Sequence, residues 1–193
     1  QSNTQPVDHR NTLMQTILNT PDDPAHDSLV EKKSEFIGDA AHVDTLDEAL
    51  AFVAAIREQH PKARHVAYAA VCGGADGRLS ERMSDDGEPS GTAGKPILDV
   101  LKQSGTTDCV VAVTRYFGGI LLGSGGLVRA YSSAASLAMK AARAARIMTA
   151  KRYRVRLEYP QLARFQQILA QLGGSQEDES YAVNVELTAV VPQ

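Results

Sequence analysis

Apolar residues change their period several times along the chain, and each change marks an element. The segment "TLDEALAFVAAIREQHP" brings Leu46, Leu50, Val53 and Ile56 onto one helical face, with Thr45 and Glu48 at capping-box spacing and Pro61 as a stop. That predicts an amphipathic helix. "SEFIGDAAHV" before it and "HVAYAAVCGG" after it read as strands. "GRLSERMSDDG" reads as a third, with Leu79 and Met83 turned away from the charged residues between them and a hairpin across Gly73 to Gly77. Pro96 suits the first turn of a second helix that packs Ile97, Leu98, Val100 and Leu101 inward and ends at Gly105. The continuous β-branched run "DCVVAVTRYF" predicts a strand covered on both faces. A glycine-rich loop, "GGILLGSGG", then leads into a long alanine-rich helix from about Leu127 to Ala145.

The two ends read differently. Residues 1–28 are polar, are broken by Pro6, Pro21 and Pro24, and form a partly ordered lead-in. A main α/β domain covers 29–149. Beyond Ala150, "RYRVRLEY" is strand-like, "PQLARFQQILAQLGG" is an amphipathic helix, and "SYAVNVELTAVV" alternates as a strand. Residues 150–193 thus read as a small β-α-β-β domain, short of a last helix and strand.

Charge changes the picture more than composition does. The 193 residues carry a formal net charge of -3, which argues against a protein that coats nucleic acid through overall positive charge. Residues 1–130 hold 12 Lys/Arg against 18 Asp/Glu, whereas 131–193 hold 8 against 5. From Lys140 to Arg156 there are seven basic residues and no acidic one: Lys140, Arg143, Arg146, Lys151, Arg152, Arg154 and Arg156. At about 100° per residue, Arg129, Lys140 and Arg143 share one sector of the predicted helix. This strip is either a solvated face or a footprint for RNA or a ribosomal surface. Cys72 and Cys109 sit in apolar runs outside any C-x-x-C spacing and read as reduced core thiols. No apolar run is long enough to span a bilayer and no basic-then-apolar leader opens the chain, so the expectation is a cytoplasmic protein without a membrane partner.

Two loops carry the candidate chemistry. "SDDGEPSGTAGKPILDVL" places Asp85, Asp86 and Glu88 ahead of Gly91, Gly94 and Lys95 at a helix start, where free N–H groups attract anions. It is no Walker A loop, because Pro89 stands where the first glycine belongs and Pro96 follows Lys95. The three acids lack calcium-loop spacing, and neither a metal nor a cofactor is expected; the plainer reading is a turn whose acids cap backbone N–H groups and whose glycines take positive φ. In the second loop Arg115 closes a strand, and Gly118, Gly119, Gly123, Gly125 and Gly126 carry the backbone towards Arg129. Those glycines either offer amides to an anion or let the helix lie close to the sheet. His65 reads as a polar strand-end histidine or as one half of a His/Asp acid–base pair.

Taken together, "KKSEFIG", "HPKARHVAYA", "SDDGEPSGTAGKPIL" and "VTRYFGGILLGSGGLVRAYS" resemble the IMPACT/YigZ family over about residues 29–145. The resemblance implies an N-terminal α/β domain of the type shared by ribonuclease PH, GHMP kinases and domain IV of elongation factor G, followed by a ferredoxin-like domain. Eukaryotic members of that family are translation regulators, which implies a translation-linked or nucleic-acid-binding role. The expected site is a cleft lined by Asp85, Asp86, Glu88, Lys95, Arg115 and Arg129. In it Lys95, Arg115 and Arg129, with the amides of Gly94, Gly125 and Gly126, would meet phosphate of RNA, of the ribosome or of a translation factor. The alternative is an enzyme acting on a small phosphorylated or nucleotide ligand there, with Asp85 or Asp86 as base or metal ligand.

Overall fold

A computed structural model of the chain describes residues 14–73 and 77–193, in two compact units, Gln1–Ile147 and Met148–Gln193. In chain order the first unit runs β1 (Gln15–Ile17), β2 (Ala25–Glu31), β3 (Ser34–His42), α1 (Leu46–Gln59), β4 (His65–Cys72), β5 (Ser80–Ser84), α2 (Gly94–Gln103), β6 (Cys109–Tyr116), α3 (Gly123–Ala141) and β7 (Ala144–Arg146). Five strands form one sheet in the order β2-β3-β6-β4-β5, every neighbouring pair antiparallel. β1 and β7 form a separate antiparallel ribbon.

Antiparallel strands commonly alternate in hydropathy, yet β6 is apolar without a break from Cys109 to Val113 because both of its faces are covered there. On one side Val110 and Ala112 meet Phe52, Val53 and Ile56 of α1. On the other, Val111 and Val113 meet Ile97 and Leu101 of α2 and Tyr131 and Ala134 of α3. Burial at both faces stabilises the unit at roughly 25 cal/mol per Å² of apolar area removed from water. Small residues set the layer spacing: a β-carbon added to Gly38 of β3 would lie 2.6 Å from the carbonyl oxygen of Ala134. The start of α1 forms as the sequence predicts, with Thr45 Oγ1 accepting from Glu48 N–H at 3.1 Å.

Several expectations are corrected. Residues 14–28, read as part of a polar lead-in, hold β1 and the first four residues of β2, and Ile17 and Ala25 are core residues; residues 1–13 lie outside the described residues. Leu79 and Met83 are exposed at 55% and 50%, not turned inward, because β5 is an edge strand whose residues stay largely exposed and Leu79 precedes it. The hairpin expected across Gly73 to Gly77 falls partly on 74–76, outside the described residues. The alanine-rich helix begins four residues earlier than predicted and ends at Ala141. Arg143 and Arg146 therefore leave the helix. The backbone N–H of Arg143 donates to Asn19 Oδ1 at 2.8 Å, and Arg146 pairs with Gln15 in the β1–β7 ribbon.

The second unit runs β8 (Ala150–Leu157), α4 (Tyr159–Gln171), β9 (Ser175–Tyr181) and β10 (Val185–Pro192), with sheet order β8-β10-β9. The expected strand "SYAVNVELTAVV" is in fact split between β9 and β10, turning at Val183, which is 91% exposed. Leu169 of α4 packs on Val185, Leu187 and Ala189. The opposite face of this sheet is charged.

Candidate functional site

Four segments meet at one end of the five-stranded sheet: the β2–β3 turn, the start of β4, the β5–α2 loop and the β6–α3 loop. The pairings Glu31 with Ser34, His65 with Arg115 and Glu35 with Tyr116 fix this convergence.

The β5–α2 loop holds its own acids. Asp85 Oδ1 accepts from the N–H groups of Gly94 at 2.8 Å and Ala93 at 3.1 Å, and Oδ2 accepts from Gly91 at 3.0 Å. The amides expected to receive an external anion thus already cradle a carboxylate, supplied because the N-cap residue Ala93 has no side chain that can cap. Burial opposes the charge on Asp85, but bonds from Gly91, Gly94 and Ala93 outweigh it and hold its carboxyl below the usual range. Asp86, at φ +46°, takes both terminal nitrogens of Arg57 at 2.9 Å and the N–H of Val66 at 2.7 Å. Its carboxyl too is lowered: burial opposes ionisation, and Arg57, Val66 and the charge of His65 prevail. Each aspartate already accepts three hydrogen bonds and has its carboxyl lowered, which makes it a weak general base.

Glu88 is buried and faces the centre. Arg115 Nη1 and Tyr131 O–H both donate to its Oε1 at 2.7 Å. Arg115 also reaches Ser34 Oγ at 3.4 Å, and that oxygen accepts the N–H of Gly118 at 3.1 Å. Arg115, expected on a phosphate, is instead 6% exposed and neutralised by Glu88. Burial, followed by the hydrogen bond to Glu88, pushes the Tyr131 hydroxyl up, so it stays a donor. His65 hydrogen-bonds the carbonyl oxygen of Asp86 through Nδ1 at 2.7 Å and brings Nε2 to 3.8 Å from Glu88. Its contact is with a backbone carbonyl and a glutamate, not with the aspartate carboxylates.

The remaining cations face outward. Lys95 pairs with Asp99 at 3.1 Å, one helical turn on. Arg129 lines a cavity of about 380 Å³ with Glu31, Lys32, Gly126 and Ser133. Lys32 and Lys33 make the β2–β3 turn with φ of 45° and 64°. A two-residue hairpin turn wants positive φ at both positions and favours Asn-Gly, so two lysines there hold backbone strain. Among the described residues no carboxylate lies within 4.0 Å of the charged ends of Lys32, Lys33, Arg64 or Arg129.

In the β6–α3 loop, a β-carbon at Gly118 would sit 2.0 Å from the backbone of Lys33, so glycine is what lets the loop lie on that turn. Gly119 has φ +88° and open space at its β-carbon position. Gly125 and Gly126 belong to the first turn of α3. Of the basic strip, Lys140 lies in the last turn of α3, Arg143 and Arg146 follow it, and Lys151 and Arg152 belong to β8 of the second unit. There Arg152 meets Glu177 at 3.3 Å and Arg154 meets Glu186 at 3.5 Å, so that portion alternates in sign.

Sequence reasoning missed Ser34, Arg57, Tyr131 and the Lys32-Lys33 turn. Tyr131 had one signal, a lone aromatic among small residues on a helix predicted to pack closely. Among the described residues no three His, Cys, Asp or Glu side chains form a metal-ligating group, and no described helix is long and apolar enough to cross a membrane.

A family model of the Impact N-terminal domain matches residues 32–139, and a second, described as a domain of unknown function (DUF1949), matches residues 155–193. The chain is 42% identical over 161 residues to the IMPACT family member YigZ of Escherichia coli (strain K12), covering 83% of this chain and 79% of that one. It is 40% identical over 156 residues to an IMPACT family member of Haemophilus influenzae, covering 81% and 76%. A crystal structure described only as a hypothetical protein overlays with a TM-score of 0.66 at 38% identity, covering 93% of this chain and 85% of that one.

Proposed function

The chain belongs to the IMPACT family, and from that premise we propose that it is a translation-linked regulatory protein that binds RNA or the ribosome through the end of its five-stranded sheet. One observation carries this reading. The acids of the β5–α2 loop are engaged internally, Asp85 by backbone amides, Asp86 by Arg57 and Glu88 by Arg115, so that Lys32, Lys33, Arg64 and Arg129, which have no described carboxylate partner, outnumber the exposed Glu31 and Glu35 of the β2–β3 hairpin. A chain of negative net charge thereby presents a positive surface at one place.

Phosphate is the ligand group that matches such a surface, since Lys and Arg release counterions when they neutralise it. Lys95 joins the four cations readily, because its exposed pair with Asp99 is worth about 0.3–0.5 kcal/mol. Lys140, Arg143 and Arg146 extend the basic character of the first unit, and Lys151 and Arg152 that of the second. The family resemblance also supports the finer fold reading, a first unit of the ribonuclease PH, GHMP kinase and elongation factor G domain IV type with a ferredoxin-like second unit. For the latter, the order β8-β10-β9 with α4 between β8 and β9 is consistent. The rival reading, an enzyme for a small phosphorylated ligand, loses support because the two aspartates it needs as bases are engaged in the loop.

The test is binding of the purified chain to short RNA, DNA and ribosomes at two salt concentrations, with a Lys33→Glu/Arg64→Glu/Arg129→Glu variant alongside. Affinity should fall steeply with salt and collapse in the variant. Retention that ignores a several-fold rise in salt would sink the reading.

A further inference from the structure

We infer that Phe117 is a stacking platform for a nucleobase, so that the sheet end selects single-stranded RNA over duplex; this rests on the RNA reading above.

The sequence puts an aromatic residue directly after the buried strand β6 and directly before Gly118 and Gly119. Core logic would bury it, yet Phe117 is 40% exposed. Its ring lies against two guanidinium groups, Arg115 at 5.4 Å and Arg64 at 5.5 Å. Arg115 is itself held by Glu88 and Ser34, so the ring rests on a fixed support. Arg64 is exposed, and a guanidinium there can meet a phosphate or extend the stacking plane, as guanidinium groups do on bases. Beside the ring the backbone carries no side chains for two residues, and at Gly119 no heavy atom lies within 4 Å of where a β-carbon would be. A flat ligand therefore has room.

Two further residues of the loop are apolar and exposed, Ile120 at 42% and Leu121 at 81%. An apolar loop alone would suit a protein partner equally well. Here it is flanked by cations: the backbone of Lys33 touches Gly118, and Arg64 touches Phe117. Apolar faces between phosphate-binding groups match a strand whose bases are unstacked. In a duplex the base faces are hidden and the A-form major groove is too deep and narrow to enter.

The experiment is fluorescence anisotropy with a labelled decamer of adenylate RNA, a ten-base-pair RNA duplex and an abasic decamer of equal charge, using the full chain and Phe117→Leu. The adenylate strand should bind tighter than the other two, and Phe117→Leu should weaken it by roughly fivefold or more while leaving the abasic strand unchanged. Should Phe117→Leu lower the thermal midpoint, 2-aminopurine placed in the strand gives a second readout on the unaltered protein: its fluorescence should quench on binding. An unquenched probe, or wild-type binding that is equal for adenylate and abasic strands, overturns the platform and leaves the RNA reading intact. Failure of the wild type to bind any of the three at low salt overturns both. Loss of RNA binding on Lys33→Glu/Arg64→Glu but not on Phe117→Leu marks the surface as a backbone reader and also overturns the platform.

Discussion

Arg115 Nη1 lies 2.7 Å from Glu88 Oε1, in an ion pair whose side chains are only 7% and 3% exposed. Such a pair stands on mutual neutralisation, and either member alone is an uncompensated charge in a poorly solvated site. Glu88→Leu or Arg115→Met should each destabilise the first unit by about 3–5 kcal/mol, whereas the double variant Glu88→Leu/Arg115→Met should recover much of the loss. Urea unfolding of the four proteins measures this as a cycle. Additive losses in the double variant would mean that the two residues act independently.

The β2–β3 turn gives a prediction of opposite sign. Lys32 and Lys33 occupy φ of 45° and 64°, where Asn and Gly fit without strain. Lys32→Asn/Lys33→Gly should raise stability by about 1–2 kcal/mol, the strain released at the two positions. The same change should weaken RNA retention. A variant that is more stable and binds unchanged would leave the strain without a functional reason.

Acid should loosen the β5–α2 loop. Asp85 and Asp86 both have lowered folded-state pKa values, so each contributes stability that is fully present above the ordinary aspartate value of about 3.9 and is lost as pH falls through the lowered one. The thermal midpoint of the wild type should therefore drop along that acid limb, and Asp85→Asn and Asp86→Asn should flatten it. Parallel acid limbs in wild type and variants would show that other groups set it.

Gly118 and Gly119 separate two kinds of constraint. At Gly118 an added β-carbon meets the Lys33 backbone at 2.0 Å, and at Gly119 it meets nothing but φ is +88°. Gly118→Ala should lose about 1–3 kcal/mol through forced movement of the turn, and Gly119→Ala about 1 kcal/mol through conformation alone. Equal losses in chemical denaturation would contradict this assignment.

The two cysteines should be inert in the folded protein. Burial, and then the charges of Asp108, Glu48 and Asp44, push the Cys72 thiol up to about 11, and burial raises Cys109 as well. At pH 8 about one Cys72 in a thousand is thiolate. An aromatic disulfide reagent should register no fast thiol until denaturant is added. A fast-reacting equivalent in the native state would indicate local opening at β4.

The periodic elements were legible because their burial is a local pattern: α1 follows from Leu46, Leu50, Val53 and Ile56, and β6 from its unbroken apolar run. β2 was hidden because its burial alternates but its hydropathy does not follow: Asp27 shares the inward side with Ala25 and Leu29, while Val30 faces out. The start of α3 was placed late because Gly123, Gly125 and Gly126 are poor helix formers, and tertiary packing overrides that propensity. The loops of the candidate site were legible as loops, but their bonding was not. Glu88, Arg115 and Tyr131 are remote in the chain, and no spacing rule says that one carboxylate oxygen takes both donors. Which amides Asp85 caps depends on the turn at Gly91, which brings the N–H groups of Gly91, Ala93 and Gly94 round to its carboxylate.

The β1–β7 ribbon joins Gln15 to Arg146, close to the two borders of the first unit. A nascent chain emerging amino end first can form β2, β3, α1 and β4 as they appear. β6 then has to be inserted between β3 and β4, and the ribbon cannot close until residue 146 is free. Until then the β7-facing edge of β1 stands unpaired, so completion of the unit is a late event gated by chain length, and the interval before it is when a half-made molecule is open to capture by a chaperone or a protease.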